Sequence, residues 1–216
     1  MSQAVTKPAR RAATYEDLLA VPERLVAEIL FGELVTHPRP APRHARAAGR
    51  LYGILHPPFD LGVGGPGGWV FLAEPELHLG EHIAVSDIAG WRLERLSQLP
   101  ETAWIETAPD WVCEVLSPST ESYDRGDKRL IYAEAGVTHL WQVNPALKML
   151  EVFELKDGKW LLLDVLGDDA QVSAAPFDAI SFPLGLLWSL GPAQPTKKRP
   201  RAARPRKANP RKRKRP

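Results

Sequence analysis

Pro109-Asp110-Trp111-Val112-Cys113-Glu114-Val115-Leu116-Ser117-Pro118-Ser119-Thr120 is the stretch on which the reading of this chain turns. Trp111 to Leu116 are strand formers, too few for a helix, fenced by Pro109 and Pro118, so the segment predicts a strand over 109–116. Glu114 stands in its middle, on the face of Val112 and Leu116 by the two-residue period of a strand. A carboxylate inside a buried strand is costly unless it is paired, hydrogen-bonded or bound to a metal. A nearby basic partner would satisfy it as well as a metal would, and the strand alone leaves the two readings level.

Working outward, residues 124–135 predict a helix, with Asp124 as N-cap, Asp127 completing a box-like pair and Gly136 ending it. Val137 to Val143 then predicts a strand, and 149–155 with 160–165 a hairpin turning at Asp157-Gly158. Upstream, 69–79 and 82–91 read as two strands joined near Gly80, the second holding Ile83-Ala84-Val85-Ser86-Asp87. The period of two puts Asp87 on the face of Ile83 and Val85. Before them come a glycine-rich loop (62–68), a helix over 43–55 stopped by Pro57-Pro58, a hairpin over 26–36 turning at Phe31-Gly32, and a short helix over 15–19 begun by Thr14. The order of elements points to an α/β sandwich around a mixed sheet.

The formal net charge of +2 hides an asymmetry. Twelve cations stand in 193–216 with no acid among them: Lys197, Lys198, Arg199, Arg201, Arg204, Arg206, Lys207, Arg211, Lys212, Arg213, Lys214 and Arg215. Of 28 basic residues that leaves 16 against 26 acidic ones, a net of −10 for residues 1–192. Prolines recur through the basic segment, and like charges repel, so we expect a disordered arm that neutralises nucleic-acid phosphates. The expected organisation is a disordered basic N-terminus (1–13), a folded domain (14–190) and a disordered Lys/Arg/Pro-rich DNA-binding arm (191–216). One cysteine excludes an intramolecular disulfide and predicts no disulfide-linked partner. No apolar run reaches the ~18 residues of a membrane span, and the N-terminus has no apolar signal region, so a cytoplasmic, nucleoid-associated protein is expected.

Three motifs compete for attention and fail on context. His78-Leu79-Gly80-Glu81-His82 has the letters of an inverted zinc-peptidase string, but that chemistry needs one helical turn and Gly80 marks a hairpin here. Ser117, Ser119 and Ser122 lack a nucleophile elbow and suit loop hydrogen bonding. The run 62–68 lacks the Gly-Lys-Ser/Thr ending of a phosphate cradle.

The segment 109–120, with Asp124, Lys128, Tyr132-Ala133-Glu134-Ala135-Gly136-Val137 and Trp141-Gln142-Val143-Asn144-Pro145, resembles the Uma-type restriction endonuclease family of the PD-(D/E)XK nuclease superfamily. The resemblance continues through Glu28, Gly32-Glu33-Leu34, His44 and Ser86-Asp87-Ile88-Ala89-Gly90-Trp91, covering roughly residues 14–190. It implies a restriction endonuclease-like fold, a mixed β-sheet flanked by helices, and a DNA endonuclease using Mg²⁺ or Mn²⁺. Asp87 and Glu114 match its two metal-binding carboxylates, Glu28 a further acid, and His44 and Tyr132 match positions without an assigned role. Two departures stand out: Ser86 replaces the name-giving proline, and Leu116 replaces the lysine two residues after the glutamate. The resemblance places the basic residue on the following helix, at Lys128. Cutting both strands favours a homodimer. The competing reading is a non-catalytic DNA-binding accessory protein with a nuclease-like fold.

Overall fold

The computed structural model describes residues 11–191. The expected basic arm, apart from Gly191, and the first ten residues of the expected N-terminal segment lie outside the described residues. The chain opens with α1 (Tyr15–Leu19), where Thr14 and Asp17 form a reciprocal capping box. An antiparallel hairpin follows, β1 (Leu25–Leu30) and β2 (Glu33–Pro38). Its two-residue turn needs positive φ twice, which Phe31 (51°) and Gly32 (75°) supply.

The next helix, α2, spans Pro42–Phe59 and so runs through Pro57 and Pro58 instead of stopping before them. Two backbone donors are missing from its last turn, but Phe59 is 1% exposed and anchors that turn in the core. Asp60 then accepts the Phe71 amide at 2.9 Å, so tertiary packing overrides the local breaker. Ala47, Leu51, Leu55 and Phe59, four apart, form the buried stripe, and each large side chain there contributes roughly 1.5–3 kcal/mol.

The two strands expected over 69–79 and 82–91 are each broken in two. They become β3 (Trp69–Ala73) with β4 (Glu76–Leu79), and β5 (His82–Val85) with β6 (Ile88–Arg92). The breaks fall at Glu74-Pro75 and Ser86-Asp87: Glu74 has φ 49°, Pro75 cannot donate to a ladder, and the Glu74 amide reaches back to the Asp87 carbonyl at 3.1 Å. The halves go to different sheets. β4 and β5 join the N-terminal hairpin and β7 (Trp104–Ile105) in a five-stranded sheet, order β2-β1-β5-β4-β7. β3 and β6 join β8 (Trp111–Val115), β9 (His139–Asn144), β10 (Met149–Lys156) and β11 (Lys159–Gly167) in a six-stranded one, order β11-β10-β9-β8-β6-β3. Only β8 and β9 run parallel in that larger sheet, joined by a helical crossover. The β10–β11 turn falls at Asp157-Gly158 as expected.

The crossover differs from the single helix expected over 124–135. It is α3 (Glu121–Arg125) and α4 (Asp127–Glu134), jointed at Gly126. Gly126 sits at φ −108°, ψ −98°, and a Cβ there would lie 2.8 Å from the Ser122 carbonyl oxygen, so the joint needs glycine. Asp124 is consequently inside α3 and buried, not an N-cap. Gly136 follows the end of α4 at φ 77°, as expected.

One face of the six-stranded sheet packs on α2 and the C-terminal segment through Trp69, Phe71, Trp111, Trp141 and Phe177. The other packs on α4 and the smaller sheet through Val112, Ile131, Tyr132, Leu140 and Leu77. A short strand pair, β12 (Gln171–Val172) with β13 (Phe182–Pro183), precedes a 3₁₀ turn over Leu184–Leu187. Among the described residues, no helix is long and apolar enough to cross a membrane. Cys113 is buried and unbonded.

Candidate functional site

The strand break at Ser86-Asp87 and the C-terminal end of β8 meet at the floor of a cavity of about 650 Å³, lined there by Asp87, Glu114, Asp124 and Lys128. Ile88 pairs with Cys113, so one step further along the antiparallel register Asp87 lies across from Glu114. The two carboxylates thus share a side of the sheet and a cavity. Asp87 also accepts the Val115 amide at 2.6 Å, which ties it to β8, and meets His44 Nε2 at 3.3 Å. His44 is near the N-terminus of α2, and its Nδ1 is buried with no partner.

Lys128 reaches this floor from α4. Its ammonium donates to the Val85 carbonyl at 2.8 Å and approaches Glu114 Oε1 at 2.9 Å, Glu28 Oε1 at 3.2 Å and Asp124 Oδ1 at 3.5 Å. The side chain is 3% exposed. Burial would lower its pKa, but Glu114 and Glu28 outweigh burial and hold it well above the usual lysine value. The acids around Lys128 thus favour its ammonium form. Tyr132, one turn along, donates its hydroxyl to Glu114, so it braces the carboxylate and not the lysine.

Glu28 lies beneath this layer, on β1, and is absent from the cavity lining. Its oxygens are taken by the Val85 amide at 2.8 Å, His37 Nε2 at 3.2 Å and Lys128. Burial pushes its carboxyl up, but Lys128, His37 and that amide together bring it down to about 2. Glu114 goes the other way: burial dominates, Asp124 and Asp87 add to it, and the carboxyl is raised well above its ordinary range despite Lys128 and Tyr132. Asp124 is raised too, chiefly by burial. His44 moves up, Asp87 prevailing over burial, and so does His37 through its bond to Glu28.

The structure therefore brings together Asp87, Glu114 and Lys128 around one cavity, with Glu28 and Tyr132 as their immediate supports. Leu116 is 5% exposed and contributes no polar atom. Three participants are given no part in the site by the sequence reading. Asp124 stands four residues before Lys128, a spacing that would have signalled a shared helix face. His37 gives no signal beyond its place in a hairpin. Gln142 is fully buried beside Glu114 in the β8–β9 register and donates to the Asp124 carbonyl at 2.7 Å while accepting from Arg129, so it pins the Gly126 joint that delivers Lys128. His78 and His82 stand on separate strands, the first bound to Glu76 at 2.8 Å and the second accepting the Phe31 amide at 3.1 Å, which disposes of the zinc string.

Four carboxyl groups, Glu28, Asp87, Glu114 and Asp124, stand around one ammonium and two imidazoles, a crowding of acids that a further cation would relieve. Among the described residues, no three His, Cys, Asp or Glu side chains gather closely enough to hold an ion alone. Asp87 and Glu114 nevertheless suit a hard cation that takes few carboxylates and completes its shell with water and substrate oxygens, as Mg²⁺ does.

Residues 12–185 match the family Uma2, described as "Putative restriction endonuclease". The fold is similar to a crystal structure of "a putative nuclease belonging to DUF820" from Anabaena variabilis ATCC 29413, with a TM-score of 0.65 and 20% identity over 82% of this chain and 97% of the other. Among curated proteins none matches.

Proposed function

This chain belongs to the Uma2 family, and from that premise we propose that it is a divalent-metal-dependent DNA endonuclease. The observation that carries the reading is the pairing of Asp87 and Glu114 on one cavity floor with Lys128, 2.9 Å from Glu114. Asp87 and Glu114 would hold Mg²⁺ or Mn²⁺, which supplies Lewis-acid polarisation of a phosphoryl oxygen and a more acidic bound water. Lys128, its ammonium held between Glu114 and Glu28, would orient or deprotonate the attacking water, or stabilise the charge that develops on the phosphate. The Val115 amide and His44 fix the Asp87 carboxylate, and Tyr132 fixes that of Glu114.

Leu116, apolar where a motif lysine would stand, favours a second reading: a DNA-binding accessory protein without turnover. Nicking of supercoiled plasmid separates the two. With Mg²⁺ the wild type should give nicked and linear DNA, and EDTA or Glu114→Ala should abolish both products. Intact plasmid together with intact single-stranded circular DNA throughout would leave the accessory reading in place.

The twelve cations of 193–216 would supply non-specific DNA affinity to a domain of opposite charge. If about six of them contact phosphates, log K should fall against log salt with a slope of roughly −5, and truncation after Gly191 should flatten it. Cutting both strands calls for two sites, and a homodimer, visible by sedimentation, belongs to this reading.

A further inference from the structure

We infer that the strand this site accepts is unpaired, and that the exposed Leu19 edge of α1 holds the base beside the scissile phosphate; this rests on the nuclease reading above. The cavity above Asp87 and Glu114 is two-sided. Leu18, Leu19, Val21, Pro38 and Pro40 form an apolar wall, while Glu23, Glu74 and Glu76 carry acids around the remainder. Its volume of about 650 Å³ is that of a small-ligand site, enough for a nucleotide or two.

Charge argues against a duplex. B-DNA presents one phosphate charge per ~1.7 Å of axis, a single strand half that density, and the acidic wall penalises the denser array. An unpaired nucleotide brings one phosphate to the cavity floor and turns an apolar face to the leucines. Arg39 stands at the same wall, its guanidinium donating to the Glu23 carbonyl at 2.9 Å and keeping its charge for a flanking phosphate. Leu19 is 64% exposed, yet the helix bearing it is held firmly, by the Thr14 capping box and by Arg11 on Asp17 at 2.7 Å. Such a leucine costs nothing in folding to replace and is available to a ligand.

The test uses the full chain, with a fluorescein-labelled single-stranded oligonucleotide and its blunt duplex. Cleavage is followed in Mg²⁺; binding is followed in Ca²⁺ at elevated salt, which screens the basic arm. The single strand should be cut faster and bound more tightly than the duplex. Leu19→Asp should weaken strand binding about tenfold, from the loss of one buried leucine contact, and leave the melting temperature and duplex binding unchanged. Equal treatment of duplex and strand, or strand binding indifferent to Leu19→Asp, overturns the inference. Leu19-dependent strand binding without any cleavage upholds it and removes the nuclease reading. A duplex cut as fast as the single strand, with both rates indifferent to Leu19→Asp, does the reverse.

Discussion

Successive residues of β8 face two different worlds. Trp111, Cys113 and Val115 point into a core where Trp111, Trp141, Phe71 and Phe177 meet edge to face with centroids 5.0 to 5.9 Å apart. Glu114, between Cys113 and Val115, points the other way, into a buried group of carboxylates around Lys128. The first face gains from every contact, since apolar burial and aromatic packing both favour the folded state. The second gathers like charges in a place that water barely reaches, and burial drives the Glu114 carboxyl upward in consequence. A fold that tolerates the second face leans on the first, and under the proposed function the acids there serve chemistry.

The contrast breaks or sharpens most visibly on paired changes to one strand. Trp111→Ala should cost about 3–5 kcal/mol of stability, while at temperatures below its melting point cleavage survives. Glu114→Gln should lower cleavage by about a hundredfold or more without lowering the melting temperature. If calorimetry finds Glu114→Gln as destabilised as Trp111→Ala, both faces are structural and the distinction falls.

Lys128→Met comes next. It removes the one ammonium shared by Glu28, Glu114 and Asp124, and leaving buried charge unpaired should cost about 3 kcal/mol besides the loss of cleavage. Mg²⁺ should restore part of the melting temperature to this variant, because a cation on Asp87 and Glu114 replaces some of the missing charge. A thermal shift that ignores Mg²⁺ would argue against an ion there.

Acid titration probes Glu28, the most favourably held of the acids. Its carboxyl is depressed to about 2 from 4.5, so its stabilisation is present above 4.5 and lost as the pH falls toward 2. Glu28→Gln should therefore be less stable than the wild type by about 1–3 kcal/mol at pH 6, and the two stability curves should converge near pH 2. A gap that persists at pH 2 would mean that Glu28 acts through shape and not charge.

The smallest effect is expected at Gln142→Leu, roughly 1–2 kcal/mol from the lost bonds to the Asp124 carbonyl and Arg129. Its sharper readout is kinetic: kcat should fall more than KM, because Lys128 loses its fixed approach. A change confined to melting temperature would make Gln142 ordinary scaffolding.

Local chemistry explains what could be read from the chain. The turns at Phe31-Gly32 and Asp157-Gly158, the Thr14 cap and the end of the second crossover helix at Gly136 each depend on a residue and its immediate neighbours. Glu114 was conspicuous because a charge in an apolar strand is rare whatever surrounds it. The roles expected of Asp87 and Lys128 came from the family resemblance, and only the fold shows the two meeting. The misreadings are all places where a distant partner decides. Phe59 and Asp60 carry α2 through two prolines by packing on the core and holding the Phe71 amide, and Gln142 holds the Asp124 carbonyl beside the joint at Gly126.

What the sequence by itself determined is a mixed α/β domain, a misplaced acid in a buried strand and a segregated block of twelve cations. Those follow from periodicity, turn chemistry and charge, which act over a few residues. Tertiary structure alone decided that the 69–91 hairpin is shared between two sheets, so that its bend carries Asp87 to the end of β8. It also decided that Glu28, from a strand 86 positions away, would lie 3.2 Å from the same ammonium that neutralises Glu114. Burial and the charges packed beside them together set the ionisation of these groups, and both are properties of the packed whole: no stretch of chain can state how much water its own side chains will keep, or which charges they will meet.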